Sequence, residues 1–206
     1  MELSLRSRLR AGDQSAFGEL FDDHAQAVYG YAVRTLGDWA AAEDAVSLTF
    51  LEAWRLRAAL HEDGESVRPW LFGIATNVLR NTARAARRHR AALARLPARD
   101  VVPDFADELV GRLDDSARLA AARRALARLR RGEREVFHLC VWVGLDYVSA
   151  AQALGVPVGT VRSRLSRART RLRSLAAEEL MEPGPGAGQV GDDRIEAVRS
   201  NQGKNR

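Results

Sequence analysis

The sequence predicts an all-α protein built as two small helical domains joined by a flexible acidic linker. Three observations predict it. Arg, Ala and Leu dominate a chain that is 46% hydrophobic and only 6% aromatic, which favours helices over sheets. Apolar residues recur at three- and four-residue spacing in several separate runs. Between those runs, Pro97, Asp100, Pro103, Asp104, Asp107 and Glu108 lie in a stretch with little periodicity. At 206 residues the chain has room for one ordinary domain or two small ones.

In the first domain, residues 1–92, Asp13 is placed to cap a helix whose stripe runs through Phe17, Leu20, Phe21, Val28, Tyr31 and Ala32. Gly37 and Asp38 end it and start a second helix, which turns Ala42, Val46, Thr49, Phe50, Ala53 and Trp54 toward a core. A polar break follows at His61 to Glu65. Ser66 then caps a third helix that tolerates Pro69 in its first turn and ends in a basic run near Arg88. Residues 93–113 form the linker. The second domain, 114–178, opens at Asp114 and Asp115 with a stripe of Leu119, Ala122, Leu126 and Leu129. Helices from Glu133 to Trp142, Asp146 to Leu154 and Pro157 to about Ala177 complete it, which makes it a four-helix unit. The tail, 179–206, is rich in helix breakers and is expected to be disordered.

Composition also excludes several classes. One cysteine, Cys140, permits neither an intramolecular disulfide nor a cysteine-based zinc site, and its apolar neighbours suit a buried thiol. No apolar run approaches the roughly 18 residues that span a bilayer, and the charged N-terminal segment has no signal-peptide core. A cytoplasmic protein without membrane insertion is expected. His24, His61, His89 and His138 show no metal-binding spacing, and neither a phosphate loop nor a nucleophile motif occurs. No catalytic, metal or cofactor site is therefore expected. The formal net charge of +5 suits a polyanionic partner.

The segment from Gly144 to Arg173 carries the functional signal. Asp146 caps a short helix with an apolar stripe of Val148, Ala151 and Leu154, Gly155 supplies a left-handed turn residue, Val156 plugs the space between helices, and Pro157 opens a second helix where no N–H is needed. This is the pattern of a helix-turn-helix. At about 100° per residue, Val161, Leu165, Ala168 and Leu172 fall on one line of the second helix. Gly159, Ser163, Ser166 and Thr170 fall on the opposite line, flanked by Arg162, Arg169 and Arg173 on one side and Arg164, Arg167 and Arg171 on the other. Small residues at the centre let the backbone approach a groove floor, while guanidinium groups reach phosphates or guanine edges. The N–H groups around Gly159 and Thr160 are placed for a phosphate.

The stretch LGVPVGTVRSRLSRARTRLR resembles the promoter-reading helix-turn-helix of the extracytoplasmic-function sigma factors of bacterial RNA polymerase. AFGELFDDHAQAVYGYA, AAEDAVSLTFLEAWR and RPWLFGIATNVLRN resemble the first domain of the same family, in the same order. The resemblance implies a dissociable, non-catalytic subunit whose partners are core RNA polymerase and promoter DNA, with an anti-sigma factor as a usual further partner. It assigns Arg162, Ser163, Ser166 and Arg167 to the major groove of the minus-thirty-five element. Asn77, Arg80 and Asn81 match the helix face near the separated minus-ten strand, and the loop His61 to Glu65 matches the one that holds a flipped base. Asp44, Val46, Thr49 and Phe50 lie in the helix that binds polymerase. From spacing alone, Asn77 and Asn81 share a helical face with amides suited to base edges, beside a basic track at Arg80, Arg84, Arg87 and Arg88, a pattern a solvated basic helix also shows.

Two departures stand out. The polymerase-binding helix of the family commonly reads DLVQETF, whereas Ser47 and Leu48 stand here in place of Gln and Glu. The first helix of the helix-turn-helix lacks the acidic residues of the common SYEEIA pattern, with Val148 and Ser149 in their places. In related proteins the acidic linker threads the polymerase cleft, and Asp100, Asp104, Asp107 and Glu108 are candidates for that role as well as for a solvated spacer. A helix-turn-helix regulator that acts without polymerase is the alternative function.

Overall fold

The structure is a computed structural model that describes residues 4–61, 63, 64, 66–93, 122 and 124–181, the last six without side chains. The proposed acidic linker, Leu119, the tail beyond 181, and Glu62 and Glu65 of the loop lie outside the described residues. Helix α1 spans Leu5–Ala11, α2 Gln14–Leu36, α3 Trp39–Leu56, α4 Arg68–Leu93, α5 Arg131–Phe137, α6 Tyr147–Leu154 and α7 Val158–Met181. No strand occurs among the described residues.

Local chemistry explains the boundaries. The Asp13 carboxylate accepts from the N–H groups of Ser15 at 2.8 Å and Ala16 at 3.2 Å, and Asp38 accepts from Ala41 at 3.1 Å. Gly37 ends α2 at a φ of 72°, where a side chain would be strained. Ser66 accepts from the Arg68 N–H at 3.2 Å at the head of α4. Leu5–Ala11 was not expected to be helical. It packs on the 3-10 turn Arg57–Ala59, and its Arg6 guanidinium is buried against the loop that follows.

Helices α2, α3 and α4 pack on one another around Leu20, Val28, Tyr31, Phe50, Leu71 and Phe72. The Tyr31 hydroxyl meets the Thr76 hydroxyl at 3.0 Å in this core, and burial pushes the phenol up to about 12, so it stays neutral. Trp70 is half-buried and Phe72 fully buried, as core residues should be. The apolar cluster continues without a break into Val136, Leu139, Leu145, Ala150, Val161 and Leu165 of the C-terminal unit. That continuity comes mainly from α6, which crosses α4 as extensively as α3 does.

Several stripe residues turn out differently from expectation. Phe21 and Val148 are exposed, and Ala122 is exposed while Ala125 is buried in its place. The helix expected from Glu133 to Trp142 is α-helical only to Phe137. Residues His138–Trp142 widen into a π turn closed by the Val143 N–H on the His138 carbonyl at 3.0 Å. Cys140 is half-buried, and burial raises its thiol pKa.

The π turn drives His138 between the two units. Its Nδ1 lies 3.1 Å from the Thr35 hydroxyl of α2, and its ring meets Tyr31 edge-on at 6.0 Å. Burial first, then the charges of Arg134 and Arg34, pushes its pKa from 6.5 down to about 3. The unfolded chain therefore takes up a proton that the folded chain refuses. Stability from this group is complete above about pH 6.5 and declines as pH falls toward 3, by at most about 1.4 kcal/mol per pH unit. Urea unfolding at about pH 7.5 and about pH 5 should show this slope, and His138→Gln should flatten it. Leu165→Ala, at a 2%-exposed site, should cost about 2–5 kcal/mol in the same assay.

Candidate nucleic-acid interface

The helix-turn-helix forms as the residue pattern requires. The Asp146 carboxylate accepts from Val148 N at 2.8 Å, from Ser149 N at 2.9 Å and from the Ser149 hydroxyl at 2.8 Å. These bonds, the Ser149 N–H foremost, hold its pKa below the usual carboxylate range. Gly155 turns the chain at a φ of 64°, and Val156 N bonds back to the Ala151 carbonyl at 3.1 Å. Pro157 accepts from Thr160 N at 2.9 Å as α7 begins.

Helix α7 presents the two faces that its spacing predicts. Val161, Leu165 and Ala168 are buried and Leu172 half-buried, while Gly159, Ser163, Ser166 and Thr170 are exposed. The Ser163 hydroxyl bonds the Thr160 carbonyl at 3.1 Å, which leaves its oxygen free to accept. Around Ser166 and Thr170, Arg162, Arg169 and Arg173 border a shallow cleft of about 300 Å³. Tyr147 of α6 closes one wall, with the Arg162 guanidinium 6.0 Å from its ring centroid. Residue spacing within α7 did not point to Tyr147, because its contribution comes from the neighbouring helix.

The other arginine flank is engaged differently. Arg167 Nε lies 3.5 Å from Glu133 Oε1 of α5, and Arg164 packs against Gly132. The Glu133 side chain is 6% exposed and also accepts from the Arg130 N–H at 3.2 Å. Arg167, a candidate groove reader, is thus tethered on its inner side, although 59% of its side chain faces solvent.

On α4, Asn77 and Asn81 are exposed one turn apart and line a cleft of about 370 Å³ shared with Leu48 and Glu52 of α3. Arg80 donates to Asn77 Oδ1 at 3.1 Å, but its main partner is elsewhere. Its Nε and Nη2 each reach a Glu135 carboxylate oxygen at 2.8 Å. Glu135 raises the already high pKa of this guanidinium.

The loop after α3 has a support that its sequence did not suggest. Arg6 donates from Nη1 to the carbonyls of His61 at 2.6 Å and Asp63 at 3.0 Å, and from Nη2 to the carbonyl of Ser66. Gly64 passes the guanidinium at a φ of 124°, a conformation that favours glycine.

Among the residues expected on the polymerase-binding helix, the structure corrects Thr49 and Phe50 as direct contacts. They are 1% and 5% exposed and face the core, with the Thr49 hydroxyl bonded to the Ala45 carbonyl at 2.6 Å. Asp44 is exposed and Val46 half-buried. The outer side of α3 is instead Asp44, Ser47, Leu48 and Leu51, the two leucines being 47% and 66% exposed. No cluster of His, Cys, Asp or Glu able to hold a metal occurs among the described residues, and no described helix is long and apolar enough to cross a membrane.

Known proteins match both halves of the chain. Residues 20–89 match the family Sigma-70 region 2, and residues 119–172 match Sigma-70, region 4. The ECF RNA polymerase sigma factor SigL of Mycobacterium tuberculosis is 34% identical over 170 residues, covering 82% of this chain and 93% of SigL. Among solved structures, CnrH in complex with the cytosolic domain of CnrY superposes with a TM-score of 0.63 at 28% identity, over 85% of this chain and 96% of that one. The sigma factor RpoE of Bartonella quintana, solved with the anti-sigma factor NepR, gives a TM-score of 0.60 at 28% identity, over 78% and 96%. Matching motifs in both helical units, in order and along most of both lengths, place this chain in the extracytoplasmic-function (ECF) sigma factor family.

Proposed function

We propose that the chain binds core RNA polymerase through the outer side of α3 and directs it to promoters by reading DNA with α7 and α4. The observation that carries this reading is the exposed face of α7. Its centre is small and polar, arginines border it on both sides, and no acidic residue interrupts it. Such a surface lets a backbone sit deep in a major groove while guanidinium groups fork onto guanine edges or phosphates. Gly159 then offers its N–H group to a phosphate, the Thr160 N–H being taken by the Pro157 carbonyl, and Arg162, Ser163, Ser166 and Arg167 face the minus-thirty-five bases. Asn77 and Asn81 face the minus-ten strand, next to Arg80.

On α3, Asp44 with Leu48 and Leu51 supplies one charge and an apolar patch for the polymerase. Thr49 and Phe50 act from within by holding the helix on α2 and α4. The reading makes the chain a non-catalytic, cytoplasmic subunit, since sigma factors regulate polymerase rather than catalyse. An anti-sigma factor is a natural further partner, given that NepR is bound to the related RpoE.

Two experiments test this. In gel filtration the chain should co-elute with core polymerase, whereas a regulator that works without polymerase would elute alone. In anisotropy titrations Arg162→Ala should cost roughly 1–3 kcal/mol on cognate upstream DNA and almost nothing on a scrambled duplex. Arg173→Ala, at a phosphate-facing position, should weaken both duplexes alike and lower the salt slope by about one. Equal losses on both duplexes for Arg162→Ala would remove it from the base-reading set.

A further inference from the structure

The arginines of α7 are not held alike. Arg162 is exposed on one flank, with only the Tyr147 ring, 6.0 Å from its guanidinium, printed against it. On the other flank, Arg130, Gly132, Glu133, Arg164 and Arg167 line a second cleft of about 250 Å³ between α7 and the head of α5. Arg164 is half-buried and turned back onto α5, where a methyl group added to Gly132 would lie 3.1 Å from its guanidinium carbon. Arg167 is the one of the two that reaches outward, with 59% of its side chain exposed.

Glu133 governs how Arg167 reaches out. Its side chain is 6% exposed, so its carboxylate needs partners on both oxygens. Oε2 accepts the Arg130 N–H at 3.2 Å, the return half of a capping box that ties the carboxylate to the start of α5. Oε1 lies across the cleft, 3.5 Å from Arg167 Nε. With Nε drawn toward the acid, the Nη1–Nη2 edge is what Arg167 turns to solvent. Two parallel donors in a rigid plane match O6 and N7 of guanine, and no other base shows two neighbouring acceptors in the major groove. A phosphate accepts the same fork, but a guanidinium already balanced by a carboxylate gains little from the field of the backbone.

We propose that Glu133 is a positioning residue for promoter reading, holding Arg167 so that its terminal fork meets one guanine of the upstream element. This rests on groove reading by α7, as given above, and not on polymerase binding. Fixing a long side chain in advance spares its ordering on the DNA, a factor of roughly two to twelve in affinity. Pairing with the acid also takes Arg167 out of the charges that hold any duplex alike. Glu133 thus turns an arginine that would strengthen every contact into one that selects.

Binding measured one base pair at a time tests this. Anisotropy titrations of the full chain use a duplex that the wild type selects from a random pool, and copies of it with single pairs replaced. Replacing one particular G·C pair should weaken wild-type binding about tenfold or more, and Arg167→Ala should erase that loss. Glu133→Gln keeps an oxygen for the Arg130 N–H, as glutamine does in a capping box, but lacks the charge that holds Arg167. It should cut the loss at the same pair to about threefold or less and leave losses at other pairs unchanged. On a scrambled duplex it should bind more tightly than the wild type, with a salt slope steeper by up to about one. In the Arg167→Ala background, Glu133→Gln should change nothing at that pair. Circular dichroism monitors folding, and Glu133→Asp, which draws the carboxylate back by one methylene, decides the matter should Glu133→Gln lose its helices. A folded variant that keeps the full wild-type loss at that pair would overturn the proposal. Equal weakening of every duplex would overturn it too, as the mark of an acid that only supports α5. A wild type that prefers no duplex over a scrambled one would overturn groove reading and this proposal with it, whereas failure to co-elute with core polymerase would overturn polymerase binding alone.

Discussion

The joining of the two helical units depends on the crossing of α4 and α6. Gly73 removes the side chain that would keep the two backbones apart, and the apolar cluster then runs continuously from Phe72 to Leu139 and Leu165. Arg80 and Glu135 sit beside this crossing, where a charge without a partner would be expensive. A buried ion pair adds little net stability compared with apolar packing, but it tolerates few alternative registers. The apolar crossing therefore supplies the attraction, and the pair selects the arrangement.

Helix α5 lies between the two functional helices and carries their counter-charges. Glu133 faces Arg167 of α7, and Glu135 faces Arg80 of α4, so one short helix touches both arginines expected near DNA. Between Val158 and Leu175 the outer surface of α7 has no acid, which preserves a field of one sign toward a polyanion. Acids placed inside and arginines placed outside let a strongly basic helix pack without weakening its surface.

The departures from the family pattern divide by position. Inside α3, Ala45, Thr49 and Phe50 keep the packing that sets the helix on α2 and α4. Outside, Ser47 and Leu48 are exposed, so replacing a polar pair there changes what a partner meets and leaves the fold unaffected. In α6, Val148 is exposed and Ser149 bonds the Asp146 cap, so loss of the acidic residues there changes the outer surface and leaves the buried Ala150 and Ala151 in place.

Apart from Leu5–Ala11, residue order alone determined where helices form, the caps at Asp13, Asp38, Ser66 and Asp146, and the two-faced character of α7. Each of these is local: a carboxylate bonds N–H groups two or three residues on, a glycine takes a positive φ, and a 3.6-residue period sorts side chains by angle. Angle does not say which side another unit will cover. Phe21 and Val148 share the stripe geometry of buried residues but stay exposed, Phe21 covered on one side only by the Phe50 ring at 4.8 Å, while Thr49 and Phe50 meet the core and not the solvent. The π turn at His138, the Arg6 hold on the loop and the Arg80–Glu135 pair join residues with no shared local pattern, the last two across 55 or more positions. Tertiary packing decided these, because only a folded chain brings such distant groups within hydrogen-bond range and excludes the water that would otherwise satisfy them.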